Sequence, residues 1–457
     1  MNVRRGWLHR TAATAQHRWR HVADRSPLSR LGQQAVLAAA MSVAAKTVGF
    51  GKEILVASAF GLSDGLEVYL VAFVLIGFPL SILLNAIQTT LISNLASTGG
   101  NSARAGAVYS AVALVSLGLT VVALPIWLLL LDRLLPLIAV GFAPDKLVQL
   151  KHAVWWLIPY YLCNGLNLLG YGVLQARQRF VLNGFLPALT PFVTILFVLF
   201  HRQIDDWMVL VMALNAGTLA ELLAINIILF RARLLAFPAH CKRELATVFR
   251  GARSLLPGTL VLAIGPVAEQ SIAASLGGGA VAALGYGYRL PAALNGVVVT
   301  AIGITVLPAF VRLLAEGQLT YCRHSLEKAG RWLLAAGLLL ACVLALLSDV
   351  IVTEVYQRGA FDLAASQRVV PIQQVYFFQL PFALIAMLSL RTLAALGRNA
   401  AVSLLMLATV VIHIALAFSL GHVLGPLGIA CAATIASSFT AFAAFFWARW
   451  QLLKDSA

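Results

Sequence analysis

Apolar runs long enough to cross about 30 Å of hydrocarbon recur along this whole chain, and nothing else in it constrains the fold as tightly. Twelve are read, at approximately 34–59, 66–91, 106–131, 152–173, 180–200, 207–230, 254–275, 279–311, 332–348, 370–396, 400–420 and 424–447. In hydrocarbon each backbone amide must find its partner within the protein, so such runs fold as helices. Of 457 residues, 61% are hydrophobic and only 11% charged, too few charges to cover a soluble surface of that size. The expected fold class is an all-α polytopic membrane protein, with about 12 transmembrane helices in two six-helix lobes around a central cavity.

A net charge of +16 suggests nucleic acid only if its placement is ignored. An even number of spans puts both termini on one side, where loops and tails hold 23 Lys and Arg against six in the opposite loops. This asymmetry predicts cytoplasmic termini, makes the basic excess a matter of topology, and argues against a nucleic-acid partner. Residues 1–32 read as a basic cytoplasmic tail resting on anionic lipid, with an organellar transit peptide the alternative. The remaining expected units are an N-terminal six-helix lobe at 33–230, a basic cytoplasmic linker at 231–253, a C-terminal six-helix lobe at 254–448 and a tail at 449–457. Apart from Trp7 and Trp19, the tryptophans fall near expected span ends, as interfacial belts require. The five cysteines suggest neither a disulfide framework nor a metal pair, and no cofactor or enzyme motif stands out.

The outer loops are expected to be short except 132–151 and 349–369, which occupy equivalent places in the two halves. Gly141-Phe142-Ala143-Pro144-Asp145 recurs as Gly359-Ala360-Phe361-Asp362, with the phenylalanines 219 residues apart. Arg179 and Arg398 end similar segments at the same offset, and Ala59-Phe60-Gly61 answers Ser275-Leu276-Gly277 at 216. Two parallel six-span repeats imply a substrate site near the membrane midplane, opened to one side at a time.

Charges inside the spans cost roughly 2.5–3.5 kcal/mol each on insertion scales and therefore need a partner or a wet cavity. They are Lys46, Lys52, Glu53, Glu221, Glu269, Arg289 and Arg391, with His413 also titratable. Lys46 and Glu53 are seven apart and share a helix face, and Arg289 precedes Pro291 in the eighth span. One reading pairs Lys46, Glu53, Glu269 and Arg289 across the lobe interface; the other makes them a cationic cavity for an anionic substrate. Glu221, Arg391 and His413 read as packed or snorkelling side chains, and Glu269 as a site of ion or proton coupling.

Lys46-Thr47-Val48-Gly49-Phe50-Gly51-Lys52-Glu53, then Ala59-Phe60-Gly61 and Glu67-Val68-Tyr69-Leu70-Val71-Ala72-Phe73, resembles the first hairpin of MviN/MurJ-type lipid II flippases. Tyr356-Gln357-Arg358-Gly359-Ala360-Phe361-Asp362 is similar to a loop of that family, and Tyr288-Arg289-Leu290-Pro291 to its eighth span. The resemblance implies membership of the multidrug/oligosaccharidyl-lipid/polysaccharide exporter superfamily and residence in the bacterial inner membrane. The implied substrate is an undecaprenyl-diphosphate-linked saccharide, either lipid II-like or an exopolysaccharide or O-antigen precursor, with envelope glycosyltransferases as partners. It also implies that Lys46, Lys52 and Arg289 face the diphosphate, with Glu53 and Glu67 as acidic partners. Alternatives are an ion-coupled multidrug exporter and a non-transporting scaffold for envelope-synthesis enzymes.

Overall fold

The computed structural model describes residues 27–97, 102–201, 207–238 and 241–456. The expected lipid-bound tail, 1–32, lies largely outside the described residues. Helices follow one another as α1 (Pro27–Phe60), α2 (Asp64–Ala96), α3 (Ser102–Ile138), α4 (Pro144–Trp156), α5 (Ile158–Ala176), α6 (Phe180–Phe185), α7 (Leu189–Phe200) and α8 (Trp207–Arg231). The second half continues as α9 (Lys242–Ser275), α10 (Ala280–Ala315), α11 (Leu319–Leu346), α12 (Ser348–Tyr356), α13 (Leu363–Ala395), α14 (Asn399–Leu424) and α15 (Pro426–Ser456). Among the described residues there is no strand, and nine helical stretches are long and apolar enough to cross a membrane. The expected spans 34–59, 152–173 and 279–311 also lie on helices but fall outside those nine.

Four expectations change. The longer outer loops are largely helical: only 139–143 separates α3 from α4, and only 357–362 separates α12 from α13. Both helices carry start signals, Pro144 at the first turn of α4 and the Asp362 carboxylate accepting from Ala365 N–H at 2.8 Å. The span expected at 152–173 is broken at Leu157, because Pro159 two residues on cannot continue a helix from the preceding turn. Residues 242–253 of the expected linker are the first turns of α9. Trp207, expected at an interface, is buried.

The repeat is written into the helix boundaries. Pro144 and Ala176, the ends of the α4–α5 pair, lie 219 residues before Leu363 and Ala395, the ends of α13. Gln178 and Gly397, also 219 apart, both take positive φ at the turns that follow. Asp64 and Ala280, the first residues of α2 and α10, are 216 apart. The second half therefore repeats the first with its breaks elsewhere: α13 runs unbroken where α4 and α5 part, and α11 and α12 part at Leu347 where α3 runs unbroken.

The halves meet along α2 and α9. Thr90 donates to Val248 carbonyl at 3.1 Å and Thr259 to Ile82 carbonyl at 2.9 Å, so two hydroxyls join helices that otherwise pack through apolar surface. One buried cluster runs through both halves, while α11, α13, α14 and α15 enclose a second around Leu326, Leu388 and Leu452. Outward-facing apolar side chains such as Leu129, 71% exposed, and Leu346, 82% exposed, suit a hydrocarbon solvent and not water.

Candidate functional site

A cavity of about 460 Å³ opens between α1, α2, α7, α8 and α10. Helix α1 brings Lys46, Gly49, Phe50, Lys52 and Glu53 to its wall, and α10 brings Tyr288, Arg289, Ala292 and Ala293. Lys46, Gly49 and Glu53 recur at helical spacing, so one face of α1 carries the charge inward. No atom lies within 4 Å of where a Cβ would stand at Gly49, so this glycine widens the cavity it lines and does not seat a neighbour.

Glu53 is the centre of the charge arrangement. Lys52 Nζ lies 2.5 Å from its Oε1, and Arg289 forms an ion pair with its Oε2. Adjacent residues on a helix do not normally face each other, but the long lysine stem folds back to reach. The Arg289 guanidinium also lies 4.5 Å over the Tyr286 ring, which orients it toward the cavity. Lys46 lines the same cavity and is exposed; it forms no ion pair among the described residues, and its ammonium approaches Gly296 of α10. The structure thus brings Lys46, Lys52, Glu53 and Arg289 together, while pairing Glu53 with Lys52 and Arg289 and not with Lys46.

Glu67 does not join them. It is buried near the start of α2, where its Oε2 lies 2.5 Å from Lys146 Nζ and its Oε1 accepts from Val281 N–H at 2.8 Å. A carboxylate from one half thus satisfies a free amide in the first turn of α10 in the other half, where the helix dipole favours negative charge. Lys146 also meets Asp64 at 2.5 Å and lies 4.1 Å over the Phe142 ring. Sequence reasoning counted Lys146 only as an outer-loop charge; the phenylalanine one helical turn before it was the available signal.

Around this triad the two halves are shut. Ala360 N–H donates to Ser58 carbonyl of the other half at 2.8 Å, and within the second half Arg368 donates to Gly278 carbonyl at 3.0 Å. Gly61 and Gly359 adopt positive φ, and a Cβ on either would strike backbone of the opposite half. Beneath them Tyr286, Tyr356 and Phe361 pack with ring centroids 5.3–5.7 Å apart, a buried aromatic plug over the charged cavity.

A second chamber, about 680 Å³, lies between α2, α5 and α9. Tyr69 of the charged cavity stacks toward Phe73 at 6.3 Å, and Phe73 toward Tyr160 at 5.4 Å, so an aromatic run links the two spaces. Glu269 of α9 lies apart from both, accepting from the Tyr376 hydroxyl at 3.3 Å. Glu221 is buried and accepts from Thr190 at 2.6 Å and from Tyr171, and Thr190 itself lines the charged cavity. Arg391 is exposed.

The family described as Lipid II flippase MurJ matches this chain over residues 56–456. A probable lipid II flippase MurJ of Synechocystis is 25% identical over 392 residues, covering 80% of this chain and 72% of the relative. Among solved structures, a lipid II flippase MurJ in an inward closed conformation superposes with a TM-score of 0.74 at 16% identity, covering 92% of this chain and 90% of that one. An inward-facing multidrug resistance transporter of the MATE family matches with a TM-score of 0.74 at 16% identity, covering 92% and 98%.

Proposed function

Because the chain belongs to the MurJ family of lipid II flippases, multi-pass membrane transporters and not enzymes, we propose that it carries an undecaprenyl-diphosphate-linked saccharide between leaflets by exposing the Lys46–Lys52–Arg289 cavity to each side in turn. The observation that carries this reading is the cavity's charge. Three cations and one carboxylate leave a formal +2 inside a membrane bundle, matched to a diphosphate and costly without an anion to receive. Lysine gives point charge without the planar fork of arginine, so Arg289 is the group that can grip two phosphate oxygens at once.

The shut end supports the same reading. Glu67, Lys146, the approaches of Gly61 to Ala360 and of Gly359 to Ser58, and the aromatic plug close one mouth, so in this state the cavity is reached from the opposite end. On the orientation predicted from the basic loops, that end is cytoplasmic, where lipid-linked precursors are made. Transport then requires the units 33–230 and 254–448 to part at the plug while closing below Lys46. A multidrug exporter of cationic compounds fits poorly, since a cation entering here meets three of its own sign. The Lys46→Ala, Arg289→Ala double variant should reach the membrane yet carry no lipid-linked saccharide in reconstituted vesicles. Unaltered flipping by that variant would refute the reading.

A further inference from the structure

Glu221 of α8 is a buried carboxylate, 7% exposed, that no basic side chain pairs with among the described residues. Its two oxygens each accept from a hydroxyl, one from Tyr171 of α5 and the other from Thr190 of α7 at 2.6 Å. Thr190 also lines the charged cavity, so a single hydroxyl stands between this carboxylate and the space that holds Lys46 and Arg289. Tyr160, also on α5, is the other titratable group close enough to feel its charge. One turn before Tyr171, on the same face of α5, Asn167 is 1% exposed. Its Nδ2 donates to Thr218 carbonyl of α8 at 3.1 Å, and its Oδ1 accepts no hydrogen bond among the described residues. A buried acceptor left empty along the same helix pair as a buried carboxylate marks a place for one more hydrogen. The packing leaves little room for a metal ion and its shell of oxygens. Gly217 and Gly170 bring α7 and α5 close against α8, and a Cβ on either would strike Thr190 backbone or the Ile225 side chain.

We propose that Glu221 binds a proton, exchanged with the charged cavity through the Thr190 hydroxyl, and that, resting on the flippase reading above, this proton is taken up together with the diphosphate. An unpaired carboxylate is costly inside a membrane bundle, and a proton removes its charge. The protonated acid becomes a donor, and Asn167 Oδ1 on the facing helix is an acceptor without another donor. Ionised Glu221 lowers the formal charge in and around the cavity from +2 to +1, and protonation restores it. An anion and a proton therefore favour each other's binding, and by linkage the effect is reciprocal. The tighter binding is present at low pH and is lost as pH rises through the ionisation of Glu221.

Infrared titration of the full chain in nanodiscs reads the site directly, because a protonated carboxyl has its own C=O stretch. The difference between wild type and Glu221→Gln should show one such band, which disappears as pH rises. Binding of bare undecaprenyl diphosphate should weaken with rising pH more steeply in wild type than in Glu221→Gln, by up to about tenfold per pH unit, the limit for one linked proton. The lipid's own ionisation is common to both proteins and cancels. Equal pH slopes, or a difference spectrum without a protonated carboxyl at any pH, would overturn the inference and leave the flippase reading standing. So would tighter binding in NaCl than in KCl at fixed pH that Glu221→Gln abolishes, which would make this a metal-ion site. Failure of the lipid to bind either protein would overturn the flippase reading and the linkage together, and the infrared titration, which needs no lipid, would still decide the proton site.

Discussion

Glu53 holds two cations at once, and its removal should separate binding from transport. Glu53→Gln leaves Lys46, Lys52 and Arg289 at a formal +3, so a diphosphate-bearing lipid should bind more tightly and leave more slowly. The expected result is a lower Kd with a lower flipping rate, checked by binding and by leaflet-exchange assays on one preparation. Arg289→Ala should act oppositely, weakening binding and leaving Glu53 with Lys52 alone. The four side chains that share this cavity were all legible in the sequence, because charge stands out against an apolar helix. Their pairing was legible only in part. One reading joined Glu53 to Arg289 across the lobe interface, but it counted Lys46 and Glu269 in the same set, and helical periodicity could not weigh a lysine stem folding back from the next residue.

At the scale of elements, the closed end depends on contacts that a side chain would block. Gly359→Ala forces a Cβ into Ser58 backbone at a positive φ, which costs about 1–2 kcal/mol for the conformation before the clash is counted. The shut state should lose population, seen as faster labelling of a cysteine placed at Ala360. The ion triad should respond more strongly. Lys146→Met strands Glu67 in a buried site, and loss of one partner from such a pair costs about 3–5 kcal/mol. A Glu67→Gln, Lys146→Met double variant should recover much of the lost thermal stability, whereas additive losses would show the two groups to be independent. Helix content and the 219-residue repeat were readable from apolar run length and paired motifs. The break at Leu157 and the helices inside the expected loops turn on single prolines and caps, which run length averages away.

For the molecule as a whole, α2 is common ground: one side lines both chambers and another bears on α9 of the second half. Any motion that parts the plug must therefore leave the α2–α9 seam in place or slide it. A Ser58→Cys, Ala360→Cys cross-link should stop flipping and a reductant should restore it, with membrane insertion unchanged. A cross-link that leaves the rate untouched would rule out opening at that end. The ion pair between Glu53 and Arg289 has a kinetic consequence for this cycle. It ties α1 to α10, and on the function proposed above a phosphate that took the arginine would dissolve the tie. An idle carrier would then be held at rest and a loaded one released, so traffic without cargo would be suppressed by the same side chain that welcomes the passenger.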